Sequence, residues 1–318
     1  MKVFITKKLP GNIETLLKKN GFDVKVHKNE KPISKEKLMK KSADADALIC
    51  LLTNKIDKEV IDNFKKCKII ANVAVGYNNI DVDYAAAKKV IVTNTPDILT
   101  DATADLTMAL LLAAARRFVE GEEMMRTGSF TGWDPNMLLG IELKNKILGI
   151  IGAGRIGKAL SYRAKAFGMK IIYADKGKNP QFEKEAGAKK ATLNELLKKS
   201  DFVSVHVPLN EETHHLLNKD NLKLMKKSAV LINSARGEII DELELIKILK
   251  AKKIFAAGLD VFENEPNINP DLFKLKNVVL LPHIGSATLE TRSNMALLAA
   301  ENVIRVLNKK RAKTPIIK

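Results

Sequence analysis

Cysteine is nearly absent: Cys50 and Cys67 are the only two in 318 residues, and no C-x-x-C or metal-ligand spacing surrounds them. That excludes a disulfide-stapled scaffold and a zinc-finger module, and it fits two buried structural thiols in a reducing compartment. Aromatic residues are scarce too, at 5% with a single tryptophan, so Ile, Leu, Val and Ala must fill the interior. Long apolar runs are missing. The longest helical one, Met108–Ala115, falls far short of the roughly 20 residues that span a bilayer. The opening MKVFITKKLPGN enters a strand pattern without an apolar signal region, so a cytoplasmic protein with no membrane partner is expected.

Acidic residues are outnumbered, 37 against 54 Lys and Arg, which leaves a net charge of +17. The excess sits in lysine pairs along helix faces, among them Lys18-Lys19, Lys40-Lys41, Lys65-Lys66 and Lys198-Lys199. A nucleic-acid partner would bring a basic tail, zinc-ligand spacing or basic motifs interleaved with aromatics. None is present, so no nucleic-acid partner is expected. The basic field instead favours anionic small molecules entering a cleft.

What the chain does have is alternation. A length of 318 residues predicts two domains. In the first hundred residues the apolar runs Val3–Thr6, Asp23–His27, Ala47–Leu52, Ile69–Val73 and Val90–Thr93 read as strands. Amphipathic segments separate them, which predicts a parallel sheet covered on both faces. Asn94-Thr95-Pro96 breaks the pattern, and Asp101–Arg117 then reads as a helix. Gly121–Gly140, glycine-rich and carrying Trp133, reads as an arm or loop. From Ile147 six further apolar runs (ILGII, KIIYA, FVSVHV, AVLI, IFAAGLDV, VVLL) suit a doubly wound dinucleotide fold. Ala287–Asn308 is helical with no strand after it, which predicts a return to the first domain.

The run ILGIIGAGRIGKAL holds Gly152-x-Gly154-x-x-Gly157 between a strand pattern and a helix pattern. In that context Gly152 allows the tight turn, Gly154 lets the backbone approach a pyrophosphate, and Gly157 lets helix and strand pack closely. Asp175 ends the next strand, about twenty residues on, where a carboxylate accepts ribose hydroxyls and repels a 2′-phosphate. NAD(H) is therefore the expected cofactor. Lys176 and Lys178 soften that discrimination and leave NADP(H) open.

Ligands of open parallel sheets bind at the carboxyl ends of the strands. Arg236 follows AVLINSA, Glu265 lies just past AAGLDVF, and His283 follows VVLLP, so three strands deliver an arginine, a carboxylate and a histidine to one rim. Carbonyl reduction needs a proton donor, a role histidine fills near neutral pH. Glu265 is assigned as the carboxylate that orients His283, and Arg236 as the grip on a substrate carboxylate. Asp260, at its strand end, is assigned to the nicotinamide carboxamide, and Glu263 is read as a solvated loop charge. His206 reads as a packed or cofactor-adjacent strand residue, His214-His215 as an exposed helix start, and His27 as a strand end.

Taken with GAGRIG and Asp175, the motifs SDFVSVHVPLNEETHHLLN, LINSARGEIIDE, LDVFENEP and PHIGSAT give a chain that resembles the D-isomer-specific 2-hydroxyacid dehydrogenases over essentially its whole length. Within them, NVAVGYNNID, Leu51-Leu52 and GSFTGWDP look most like glyoxylate/hydroxypyruvate reductases. The resemblance implies two Rossmann-like or flavodoxin-like α/β domains with parallel sheets and an active site in the interdomain cleft. Residues 1–98 with 287–318 would form a discontinuous substrate-binding domain, and 99–286 the NAD-binding domain. It implies Arg236 as substrate-binding residue, Glu265 as the histidine's partner and His283 as acid/base. Leu51 and the backbone of Val75 and Gly76 would meet the substrate. Thr103, Arg155, Ile156, Val207, Pro208, Ser234, Ala235 and Gly285 match cofactor-contact positions. A homodimer is implied, with the Trp133 segment reaching toward the partner's active site.

The expected reaction is NAD(H)-dependent reduction of glyoxylate or hydroxypyruvate to glycolate or D-glycerate. The alternatives are the D-lactate, phosphoglycerate and phosphite branches, and an NAD-sensing protein resembling the C-terminal-binding co-repressors. The sequence stops soon after its last helical pattern, so the regulatory domain of many phosphoglycerate dehydrogenases is not expected. It carries Val75 where the phosphite branch has lysine, and Glu265 where formate dehydrogenases have glutamine.

Overall fold

The apolar runs at Val3, Ala47 and Ile69 each serve two cores at once. Successive side chains of a strand point to opposite faces, so a sheet covered on both sides needs continuous rather than alternating apolar runs. The computed structural model describes residues 1–29 and 31–316. In it β1 (Lys2–Ile5), β2 (Asp23–Val26), β3 (Ala47–Cys50), β4 (Ile69–Asn72) and β5 (Ile91–Thr93) alternate with α1 (Ile13–Lys19), α2 (Lys35–Ser42), α3 (Lys58–Asp62) and α4 (Val82–Ala87). The strands are all parallel, in the order β2-β1-β3-β4-β5. Val3, Ile5, Ile69 and Ala71 enter one core, while Phe4, Leu48 and Ile70 enter the other. Asp57 and Asp81 cap α3 and α4 by accepting backbone N–H groups, contacts that contribute about 1 kcal/mol each. Cys50 and Cys67 are both buried, and desolvation pushes the Cys67 thiol up to about 12, so neither is a reactive thiolate near neutral pH.

The chain continues through α5 (Thr100–Ala115), α6 (Phe118–Arg126), β6 (Ile147–Ile151), α7 (Arg155–Ala166), β7 (Lys170–Ala174), α8 (Pro180–Ala186), β8 (Lys189–Lys190) and α9 (Leu193–Lys199). Next come β9 (Phe202–Val205), α10 (Lys219–Leu222), β10 (Val230–Asn233), α11 (Glu242–Lys250), β11 (Ala256–Leu259), β12 (Val278–Leu280) and finally α12 (Leu289–Leu307). The second sheet is parallel, ordered β12-β11-β10-β9-β6-β7-β8, which is the Rossmann order with one strand added at an edge. Phe202, Val230 and Ile232 fill one face, and Val203, Val205 and Leu231 the other.

Contacts divide the chain into Met1–Leu99 with Ser286–Lys318, and Thr100–Gly285. These limits differ by one residue from the ranges read in the sequence. Packing of α12 on α1 and β4 explains why the last helix belongs with the first hundred residues: Met295, Ala296, Ala299, Ala300 and Val303 complete one of their two cores.

Two expectations need correction. Six strands are expected in the second series, but seven form; β8 is only Lys189-Lys190, both exposed, and an edge pair of lysines carries no apolar signal. The Gly121–Gly140 segment is not all loop, because its first residues continue α6. That helix has no buried residue, and its Phe118, Val119 and Met125 are exposed. Among the described residues, no helix is long and apolar enough to cross a membrane.

Candidate active site

The glycine turn after β6 is built by close approach. Gly152 has φ +97°, and a Cβ there would lie 2.8 Å from the His206 carbonyl carbon and the Val207 nitrogen. Any side chain would push the β6 turn away from the β9 turn, so glycine brings two cofactor-assigned segments together. A Cβ on Gly157 would stand 2.4 Å from the Gly152 carbonyl oxygen, which explains why α7 can start so close to its strand. At Gly154 a Cβ would meet nothing within 4 Å. The open space lies at the N-terminus of a twelve-residue helix whose first residue is Arg155, the arrangement that suits a phosphate. Arg155 is exposed and Ile156 half-buried beside it.

Asp175 immediately follows β7 and is exposed. Its Oδ2 accepts the Ala153 N–H at 2.8 Å and its Oδ1 accepts its neighbour Lys176's N–H at 2.7 Å, which ties the acid to the glycine turn. Lys176 pairs with Glu212, and the Lys178 ammonium lies 3.6 Å from Glu183. Both lysines expected to soften the preference against a 2′-phosphate therefore have carboxylates beside them. Val207 is half-buried and Pro208 exposed next to it after β9. These residues fit a dinucleotide: a helix start for the pyrophosphate and an acid for the ribose.

Arg236 is placed by an amide that the sequence reading did not single out. Asn233, buried at the end of β10, accepts the Ala235 N–H at 3.0 Å and donates to the Arg236 carbonyl at 2.8 Å, folding Ser234–Arg236 into a fixed turn. The Ser234 hydroxyl lies 2.7 Å from that of Thr107, which anchors the turn to α5. A polar residue ending an apolar strand is the signal that could have marked Asn233. Gly237 then runs so close to the β11 loop that a Cβ would fall 1.9 Å from the Phe262 carbonyl carbon. That loop carries Glu265. Burial pulls the Arg236 guanidinium below its usual pKa, while the carboxylates of Glu265 and Glu238 act the other way.

His283 and Glu265 meet: Nδ1 of the imidazole is 2.8 Å from Oε2 of the carboxylate. The second carboxylate oxygen accepts the Phe262 N–H at 3.0 Å. Burial alone would raise the Glu265 pKa, but the His283 hydrogen bond and charge, the Phe262 N–H and Arg236 together hold it below the ordinary carboxylate range. Glu265 is therefore an ionised acceptor, so Nδ1 carries the hydrogen and Nε2 is left for chemistry. His283 follows Pro282 with φ 54°, in the left-handed region. The cost of that conformation, about 1–3 kcal/mol, is met by Asp260. Its buried carboxylate accepts the N–H groups of Ile284 (2.7 Å) and Gly285 (2.8 Å) and so fixes the chain just after the histidine. Asp260 thus acts first on the backbone, a use the strand-end argument did not foresee. Thr103 is buried beside Gly285, where a Cβ would come within 3.3 Å of its methyl.

Two readings of neighbouring residues were wrong. Glu263 is not a solvated charge, since its Oε1 lies 2.9 Å from His215 Nε2 and its N–H is held by Glu242. His215 is not an exposed helix start either; it is half-buried in a turn, with φ 47°. The remaining site candidates are spread elsewhere. In the first unit Leu51, Val75 and Gly76 are half-buried in strand-end turns, with the carbonyls of Val75 and Gly76 held by the side-chain amides of Asn94 and Asn72. Trp133 is 81% exposed, near the exposed Phe130 and Leu139 in sequence.

Residues 108–285 match the family model for the "D-isomer specific 2-hydroxyacid dehydrogenase, NAD binding domain". The chain is 52% identical to a glyoxylate reductase of Thermococcus litoralis over 307 residues, covering 95% of this chain and 92% of the relative. Among solved structures, a Thermus thermophilus protein superposes with a TM-score of 0.94 at 42% identity, over all of both chains. An NADPH-dependent glyoxylate/hydroxypyruvate reductase of Sinorhizobium meliloti, in complex with citrate, gives 0.85 at 31% identity, over 99% of this chain and 97% of that one.

Proposed function

We infer that this chain, which belongs to the D-isomer-specific 2-hydroxyacid dehydrogenases, reduces glyoxylate to glycolate with NAD(H). The observation that carries the chemistry is the 2.8 Å contact between His283 Nδ1 and the Glu265 carboxylate, on the rim reached from β10, β11 and β12. When bound, the reduced nicotinamide supplies the hydride that the carbonyl carbon receives. His283 supplies the proton: its Nε2–H passes to the carbonyl oxygen as alkoxide charge develops, and the imidazole remains neutral with its hydrogen on Nδ1. Glu265 fixes that tautomer and stabilises the charged ring before transfer. Arg236 holds the substrate carboxylate and polarises the reacting oxygen through its fork of donors. Gly152, Gly154, Arg155 and Ile156 take the pyrophosphate, Gly157 lets α7 start close to β6, and Asp175 takes the ribose hydroxyls.

Leu51, Val75 and Gly76 are assigned to the substrate on the strength of the family resemblance. Hydroxypyruvate, reduced to D-glycerate, is the second substrate of this reading. The working form is a homodimer, supported by the exposed apolar side chains Phe118, Met125, Phe130, Trp133 and Leu139 within one stretch of the chain. A solution mass of about 70 kDa, twice the 35.2 kDa chain, checks it, and a mass of one chain contradicts it.

Nicotinamide absorbance tests the cofactor and substrate together. With glyoxylate present, NADH is consumed with a kcat/KM at least about tenfold above that for NADPH, because Asp175 repels the 2′-phosphate. Equal use of both dinucleotides would remove that role from Asp175.

A further inference from the structure

A cluster of metal-capable side chains lies beside the catalytic loop and takes no part in the reaction described. His214, His215 and Glu263 each present a ligand atom, and these atoms all lie within 4.8 Å of one another. We propose that the three bind a divalent d-block cation of the Zn²⁺ class, tying the 210–217 segment to the loop that carries Glu265.

The arrangement is more than one ion pair. Adjacent residues of an extended chain point to opposite sides. At His215 the backbone is left-handed, with φ 47°, and the two imidazoles stack with centroids 4.1 Å apart and planes inclined by 23°. The Glu263–His215 pair uses one ring, while His214 stands exposed alongside as a second nitrogen donor. The frame is fixed from three directions. The His215 N–H donates to the Glu238 carbonyl at 2.8 Å, Asn218 donates to the His215 carbonyl at 3.2 Å, and the Glu263 N–H donates to buried Glu242 at 3.0 Å.

The chemistry of the donors selects the ion. Two imidazoles and one carboxylate, with a position open to water, form a zinc-type set rather than the all-oxygen shell of Ca²⁺ or Mg²⁺. Tetrahedral bonds of about 2.0–2.1 Å place neighbouring ligand atoms roughly 3.3 Å apart. The 2.9 Å between His215 Nε2 and Glu263 Oε1 therefore opens by a few tenths of an ångström when an ion replaces the shared hydrogen. Glu263 lies two residues before Glu265, and the intervening turn is already held by the Phe262 N–H on Glu265.

Isothermal titration of chelator-stripped full-length protein with ZnCl₂ tests this, comparing wild type with His214→Ala and Glu263→Gln. Wild type binds about one Zn²⁺ per chain and melts at a higher temperature with the ion. Each variant keeps the zinc-free melting temperature to within a few degrees and binds at least tenfold more weakly. No saturable binding by wild type, or equal affinity in all three proteins, overturns the proposal. The readout is ion binding rather than turnover, so its failure leaves the reductase reading untouched.

Discussion

At the end of β9, His206 sits with its Nε2 2.8 Å from the Ser204 hydroxyl, and burial lowers its pKa from 6.5 to about 4. The unfolded chain therefore binds a proton between those values that the folded chain refuses. A base depressed in this way leaves stability intact above about pH 6.5 and removes it as pH falls toward 4, by at most about 1.4 kcal/mol per pH unit. Urea unfolding of wild type and His206→Gln at pH 7 and pH 5 should show wild type losing more stability on acidification than the variant. Equal losses would mean that the imidazole titrates normally. The same residue scale separates His206 from His283: one ring is kept neutral in the turn beneath the glycine loop, the other faces an ionised carboxylate.

Among the elements, the loops after β10 and β11 work as a pair, and Gly237 is where they touch. Gly237→Ala places a methyl 1.9 Å from the Phe262 carbonyl carbon, so one loop must move. Overpacking of this kind costs about 1–3 kcal/mol, and here it separates Arg236 from the loop carrying Glu265. Turnover should fall by at least tenfold, and by more than the affinity for NADH, because the glycine turn after β6 lies outside these two loops. A parallel loss of NADH binding in fluorescence titration would contradict this division of labour.

The elements also show what a sequence can display. Strands such as Ala47–Cys50 and Phe202–Val205 were legible because burial on both faces demands continuous apolar runs. The rim of Arg236, Glu265 and His283 was legible because each lies just past such a run. The two-residue β8 leaves no apolar pattern to read, and α6 has no buried residue. The His215–Glu263 pairing, across 48 residues, depends on where two loops come to rest, and so does the use of Asp260 to hold Ile284 and Gly285.

For the whole molecule, the scale that matters is which chemistry the chain brings to one rim. The Rossmann-ordered sheet places the glycine turn, Arg236, Glu265 and His283 at the carboxyl ends of its strands, and the net charge of +17 favours an anionic substrate. The central claim is that His283, set by Glu265, gives the proton to the reacting oxygen. The measurement that tests it most directly is steady-state NADH oxidation with glyoxylate by wild type and His283→Ala, with NADH affinity measured in parallel. The account predicts a kcat lowered by about 10²–10⁴ in the variant with NADH affinity retained. A variant with near-normal kcat would contradict it and send the search for the proton donor elsewhere on the rim.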